Sequence, residues 1–305
     1  MKAKKQMTLL VTDSGLGGLS VCAGMAARFA NDARYDRIQL VYFNAWPEQH
    51  KGYRHYPNPA DRSKVFHNAL VAMAKYNPDH IYIACNTLSV IYPFTRFAKK
   101  TSIPVTGIVD HGIQMIYNAL TRNASACAVI FATPITIHED SHKTALIERG
   151  IDPERIITQG CLALAGKIER APFSDEVKTL IDENVAQAAQ KLKNKGETVY
   201  AGLCCTHFGY CKNIFKRTLA RHTDRNIKSL NPNEAMSDAA CHKIIAGGAP
   251  QMSIDIVSRV SWDPAGIEAY DRLLSKVSPD VVDALKNYRL DRHLFSIELK
   301  ELGKK

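Results

Sequence analysis

Two short segments carry side chains able to move protons. Ala84-Cys85-Asn86-Thr87 and Cys204-Cys205-Thr206-His207 each close an apolar run and each precede a helical stretch. A cysteine at such a strand-to-helix turn sits near free N–H groups and the positive end of the helix, which favours the thiolate. Asn86, Thr87 and Thr206 offer donors for a carboxylate, and His207 is close enough to tune a neighbouring thiol or relay its proton. Taken alone, either cysteine reads as a small buried hydrophobe. Two of them on equivalent turns, each followed by small polar residues, point instead to paired acid–base chemistry.

A third segment, Asp13-Ser14-Gly15-Leu16-Gly17-Gly18-Leu19-Ser20-Val21, follows the first apolar run. A glycine-rich turn at this place lets backbone N–H groups approach an anion. The dinucleotide pattern G-x-G-x-x-G fails at Ser20, and the second strand ends near Asn44 without an acidic residue. A carboxylate is the better guest for so short a loop. Asp13 reads as a structural cap or, beside an anion, as an acid–base helper. Cys204, Cys205, His207 and Cys211 crowd together, but zinc sites pair a C-x-x-C type motif with a second, distant pair, and none exists here. No metal is expected.

Something must hold these segments in place. Short, continuously apolar stretches at 7–12, 39–43, 80–84, 105–108, 126–131, 155–158, 198–203 and 226–230 read as strands covered on both faces. Helical stretches lie between them. In 59–75, Val65, Ala69, Ala72 and Met73 share a face; in 174–193, Val177, Leu180, Ile181, Val185, Ala188 and Leu192 form one stripe. This alternation predicts α/β layers with mostly parallel sheets. The repeated strand–cysteine–helix plan predicts two similar three-layer α/β domains facing a central cleft, with each cysteine at the carboxyl end of a strand, where such sheets bind ligands. Beyond Gly247-Gly248-Ala249-Pro250 the chain reads as two or three amphipathic helices, one starting at Ser278-Pro279-Asp280 with Ser as cap and Pro at the first helical position.

The bulk composition agrees with a large folded chain. Of 305 residues, 46% are hydrophobic and 23% charged, enough for one large or two medium cores and unlike disorder. No apolar run reaches the roughly 18–20 residues that span a bilayer. The basic start, Met1-Lys2-Ala3-Lys4-Lys5, precedes too short an apolar run for a secretory signal, so a cytoplasmic location is expected. Eight cysteines in a reducing compartment then read as mostly buried thiols rather than a disulfide framework. The net charge of +10 is scattered, with no basic stripe interleaved with aromatics, so nucleic-acid binding is not expected.

The three segments together resemble the aspartate/glutamate racemase family, nearest its glutamate racemases. Asp13–Val21 is similar to the family's first signature, Ala84-Cys85-Asn86-Thr87 to its first cysteine motif and Cys205-Thr206-His207 to its second. Pro104-Val105-x-Gly107-Ile108, Thr133-Pro134-Ile135-Thr136-Ile137, Cys161 with Glu169 and Asn231-Pro232-x-Glu234-Ala235 resemble further family segments in the expected order. The resemblance spans roughly residues 7–240 and leaves about the last 60 residues without a counterpart. It implies a cofactor-independent racemase in which one thiolate removes the α-proton while the other thiol donates to the opposite face. Cys85 would act on the D-enantiomer and Cys205 on the L-enantiomer. Asp13 would assist Cys85, and His207 and Glu169 would assist Cys205. Ser14, Gly52, Asn86, Thr87, Thr136 and Thr206 match positions that bind the amino acid. The resemblance further implies domains at 1–112 with 230–305 and at 113–229, and a homodimer.

The departures cluster around the substrate. Where the family shows an acidic residue and then Pro-Tyr-Gly, this chain reads Asn44-Ala45-Trp46-Pro47-Glu48-Gln49-His50-Lys51-Gly52-Tyr53, retaining Gly52. Family Ser and Tyr positions after the threonine loop become Glu139 and His142, and the usual Tyr-Pro after Cys-Thr-His becomes Phe208-Gly209. Lys51 reads either as a partner for an acidic side chain or as a surface residue. The expectation is an amino-acid racemase acting on glutamate or a related acidic amino acid. The alternatives are a related cysteine-based racemase or decarboxylase with another substrate, and an amino-acid-binding or regulatory module that has lost turnover.

Overall fold

The computed structural model describes residues 5–193 and 196–299. The first four residues of the basic start lie outside the described residues. In chain order the strands are β1 (Gln6–Asp13), β2 (Arg37–Asn44), β3 (His80–Ile83), β4 (Val105–Gly107), β5 (Cys127–Ala132), β6 (Ile156–Gly160), β7 (Thr198–Cys204), β8 (Asn226–Leu230), β9 (Gln251–Ser258) and β10 (Arg289–Leu290). The chain divides into two compact units, one up to Thr106 and again from Ser237, the other Gly107–Met236.

The first unit is built on the sheet β10-β9-β2-β1-β3-β4, and the pairings β1–β2, β1–β3, β2–β9 and β9–β10 are all parallel. The run Leu9–Asp13 is buried throughout, as a strand covered on both faces must be. Helix Pro59–Ala74 begins with Asn58 accepting a hydrogen bond from the Ala60 amide and with Pro at the first turn, the start its sequence prescribes. It buries Val65, Phe66, Ala69, Leu70, Ala72 and Met73.

The second unit carries the sheet β6-β5-β7-β8, again with parallel pairings. Helix Asp175–Gln190 starts at Ser174, whose side chain accepts from the Val177 amide, with Asp175 and Glu176 in the favourable first turn. Its stripe of Val177, Ile181, Val185 and Ala188 joins Val129, Phe131, Phe208 and Phe215 in the core. Each such aliphatic side chain contributes about 1.5–3 kcal/mol when fully buried.

The two sheets share a plan. β2-β1-β3-β4 and β6-β5-β7-β8 have the same order, in which the chain leaves the first strand to one side and returns on the other. This places a topological switch point between β1 and β3 in one unit and between β5 and β7 in the other, where α/β sheets bind ligands. The expected α/β class with mostly parallel sheets is what the chain adopts.

One expectation is corrected. The segment beyond Pro250 is not purely helical: Gln251–Ser258 is a full strand, in register with β2 from Arg37↔Gln251 to Asn44↔Ser258. Its first half alternates exposed and half-buried residues, so it lacks the continuous apolar run that marks the other strands. Two helices do follow, Pro264–Leu274 and Pro279–Lys286, the second capped by Ser278 as its sequence prescribes.

Candidate active site

In the first unit, the strand ends meet at the switch point. Thr12 pairs with Ile83, and the Ala84 amide donates to the Thr12 carbonyl, so the residues after β1 and β3 emerge side by side. Ser14 Oγ lies 3.3 Å from Cys85 Sγ. The Ser14 amide donates to Asp13 Oδ1 at 2.5 Å, so Asp13 fixes the residue that touches the thiol. Asp13 and Cys85 are both buried. Gly18 is required here: a Cβ on it would stand 2.7 Å from Asp13 Oδ2 and 3.0 Å from Ala84 Cβ. Gly15 adopts a φ of 143°, open to glycine, and its carbonyl accepts from the buried Tyr42 hydroxyl at 2.7 Å.

Cys85 occupies the residue before the short helix Asn86–Ile91, which begins with Asn86 and Thr87, both buried. Neither the amide oxygen nor the amide nitrogen of Asn86 has a hydrogen-bond partner among the described residues. A buried polar group left in this way costs about 1–3 kcal/mol, and its place beside Cys85 suits it to hold a polar ligand.

The divergent loop after β2 carries Lys51. Its ammonium pairs with Glu48 at 3.2 Å and lies over the Tyr56 ring, on the surface. Gly52 is buried beneath the Trp46 indole, which a Cβ would meet at 2.4 Å. The loop also carries an inward residue that its aperiodic, polar sequence does not announce: Tyr53, 3% exposed, donates its hydroxyl to the Ala45 carbonyl.

In the second unit, Ala132 pairs with Cys204, so Thr133 and Cys205 leave adjacent strand ends. Cys205 Sγ lies 3.9 Å from His207 Nδ1, and His207 Nε2 lies 2.8 Å from Glu169 Oε2. Burial alone would lower the pKa of His207, but its hydrogen bonds to Cys205 and Glu169 and their negative charges together hold it well above the ordinary value. The result is a thiol, an imidazole and a carboxylate in series, able to hold and move a proton at Sγ. Thr206 is buried, with its carbonyl accepting from Asn233 Nδ2 at 2.9 Å. Thr136 is also buried, its Oγ1 3.0 Å from that of Thr133. Glu139 is half-buried, and His142 is buried, its Nε2 without a hydrogen-bond partner among the described residues.

Burial raises the pKa of the other six thiols. Burial pushes Cys22 up to about 12. It does the same, ahead of smaller charge effects, for Cys204 and Cys241, and alone for Cys211. Cys127 and Cys161 are raised as well, again chiefly by burial. These six are core residues, and none of the eight cysteines is in a disulfide. Among the described residues, no group of three or more His, Cys, Asp or Glu side chains is placed to hold a metal ion. No helix there is long and apolar enough to cross a membrane.

No protein-family model matches the chain. Curated relatives do. The glutamate racemase of Aquifex pyrophilus is 24% identical over 234 residues, 76% of this chain and 81% of that protein. Among solved structures, a glutamate racemase isoform of Bacillus anthracis superposes with a TM-score of 0.65 at 20% identity, covering 90% of this chain and 95% of that one. The glutamate racemase of Francisella tularensis, solved in complex with D-glutamate, superposes with a TM-score of 0.62 at 18% identity, covering 88% and 94%. Over most of its length, this chain is a relative of the glutamate racemases.

Proposed function

We propose that this protein is a cofactor-independent amino-acid racemase acting on glutamate or a related acidic amino acid through two thiols, Cys85 and Cys205. The observation that carries the reading is the repetition: each unit sets one of these buried cysteines at its switch point, with a polar side chain at the sulfur. The curated relatives support the reaction class.

The reaction removes a weakly acidic α-proton and returns one to the opposite face. One cysteine acts as thiolate and takes the proton; the other, as thiol, gives its own. After one turnover the roles are exchanged, so no external oxidant, reductant or cofactor enters. The resemblance assigns removal from the D-enantiomer to Cys85 and from the L-enantiomer to Cys205. His207, held cationic by Glu169, stabilises a thiolate on Cys205. On the other side, Ser14 Oγ donates to the Cys85 thiolate and Asp13 holds Ser14 in place. The Asn86 amide, with Thr87, Thr136 and Thr206, supplies donors for the α-carboxylate and side-chain carboxylate. The same reading includes a cytoplasmic location and a homodimer, the latter open to sedimentation analysis.

Chiral chromatography after incubation with single enantiomers tests the proposal. Conversion of L-glutamate or another acidic amino acid to a racemic mixture is the expected result. Calorimetric binding of these amino acids without any conversion contradicts it and favours a binding module built on the same fold.

A further inference from the structure

The residue that touches the Cys85 sulfur, Ser14, stands in a turn with wide conformational freedom. Gly15, next in the chain, has a φ of 143°, a region open to glycine, so sterics alone do not fix the backbone after β1. A contact from another element must select the conformation in which Ser14 Oγ lies 3.3 Å from Cys85 Sγ.

β2 supplies that contact. Asp13 and Asn44 stand opposite each other at the ends of β1 and β2, so Tyr42 lies two residues back from that edge and Gly15 two residues beyond it. Paired with Val11 of β1 on one side and Ile256 of β9 on the other, Tyr42 is fully buried. Its long side chain brings the hydroxyl to the buried Gly15 carbonyl, to which it donates at 2.7 Å. A buried carbonyl needs a donor, and phenylalanine here would keep the ring while removing this one. The other side of Ser14 is held too, its amide donating to Asp13 Oδ1 at 2.5 Å. Ser14 is thus fixed by one bond at its own amide and another at the next carbonyl.

We infer that Tyr42 is a positioning residue for Cys85, acting through Ser14: its hydroxyl pins the Gly15 carbonyl and so keeps Ser14 Oγ on the sulfur. When Cys85 is a thiolate its sulfur can only accept, so Ser14 is the donor and favours the charged form. Loss of the Tyr42 hydroxyl frees the turn, weakens that donation and raises the pH at which the thiolate forms. This role rests on the racemase reading, in which Cys85 is one of two bases, but its readout is the titration of the thiol and needs no turnover. A wild-type protein that fails to racemise would sink that reading and still let the titration decide the role of Tyr42.

The test is a double-mutant cycle on the pH dependence of iodoacetamide alkylation, assigned by peptide mass spectrometry. Cys85 is followed in the Cys205→Ser background, with Ser14→Ala, Tyr42→Phe and the two together. Cys205 is followed in the Cys85→Ser background with the same substitutions. Ser14→Ala is expected to raise the Cys85 midpoint by about one pH unit, the scale of a hydrogen bond to a charged group. Tyr42→Phe is expected to raise it by roughly half of that or more. In the Ser14→Ala protein, Tyr42→Phe adds less than about 0.3 pH unit, because its route to the sulfur is gone. The Cys205 midpoint stays within about 0.3 pH unit throughout. Circular dichroism establishes that each variant is folded, and Tyr42→Leu, which lacks the same donor, serves where Tyr42→Phe is not. An unmoved Cys85 midpoint in either single variant overturns the inference. Additive shifts in the double variant overturn it as well, as does an equal shift at Cys205, which reports general loosening.

Discussion

His207 Nε2 lies 2.8 Å from Glu169 Oε2, with both side chains reaching this contact from segments 38 residues apart. The contact orients the imidazole, so that Nδ1 faces Cys205, and it favours the charged form despite burial. A neutral amide at position 169 keeps the shape and removes the charge.

Glu169→Gln is therefore expected to lower kcat by about a hundredfold, the lower end of the range assigned to positioned acid–base groups. It also has a signature in stability. The raised folded pKa of His207 contributes stability that is fully present below its unfolded value, about 6.5, and is lost as pH rises through the folded value. The Tm difference between wild type and Glu169→Gln should be largest near pH 6 and shrink at alkaline pH. A difference that grows with pH contradicts the assignment.

Gly18→Ala tests the packing beneath Asp13. The added methyl meets the Asp13 side chain and Ala84 within 3.0 Å, so the side chain that accepts from the Ser14 amide must shift. Overpacking of this kind costs about 1–3 kcal/mol. Denaturant unfolding should show that loss, with kcat falling alongside it. Wild-type activity in a destabilised Gly18→Ala protein would remove Asp13 and its contact with Ser14 from the mechanism.

His142 makes an acid-side prediction. Burial lowers its pKa to about 4, so the folded state holds it neutral. Its contribution is present above the unfolded value, about 6.5, and is lost as pH falls toward 4, a difference on the order of 3 kcal/mol. His142→Phe, which cannot titrate, should flatten the fall in stability between pH 6.5 and 4 measured by urea unfolding. An unchanged slope contradicts this.

Much of this site was legible because its residues sit where strands end. Continuous apolar runs located β1, β3 and β7, and Asp13, Cys85 and Cys205 follow from those ends. Asn86 and His207 were readable as neighbours of the thiols. Tyr53 was not, since its burial comes with contacts to Ala45 and Phe66 outside its own turn, and nothing in its aperiodic loop marks an inward side. The strand Gln251–Ser258 escaped for a related reason. Its Asp255 is exposed and bonded across to Gln39, so polar residues interrupt the apolar signal at the outer part of the sheet.

The most direct test of the two-thiol account is α-proton exchange followed by NMR in deuterium oxide. D- and L-glutamate, D- and L-aspartate and a few neutral amino acids are offered to the wild-type protein and to Cys85→Ser and Cys205→Ser. The account predicts that an acidic amino acid loses its α-proton signal as it interconverts, and that either substitution abolishes interconversion. Interconversion that survives the loss of either cysteine, or the absence of exchange with every acidic amino acid, would contradict it.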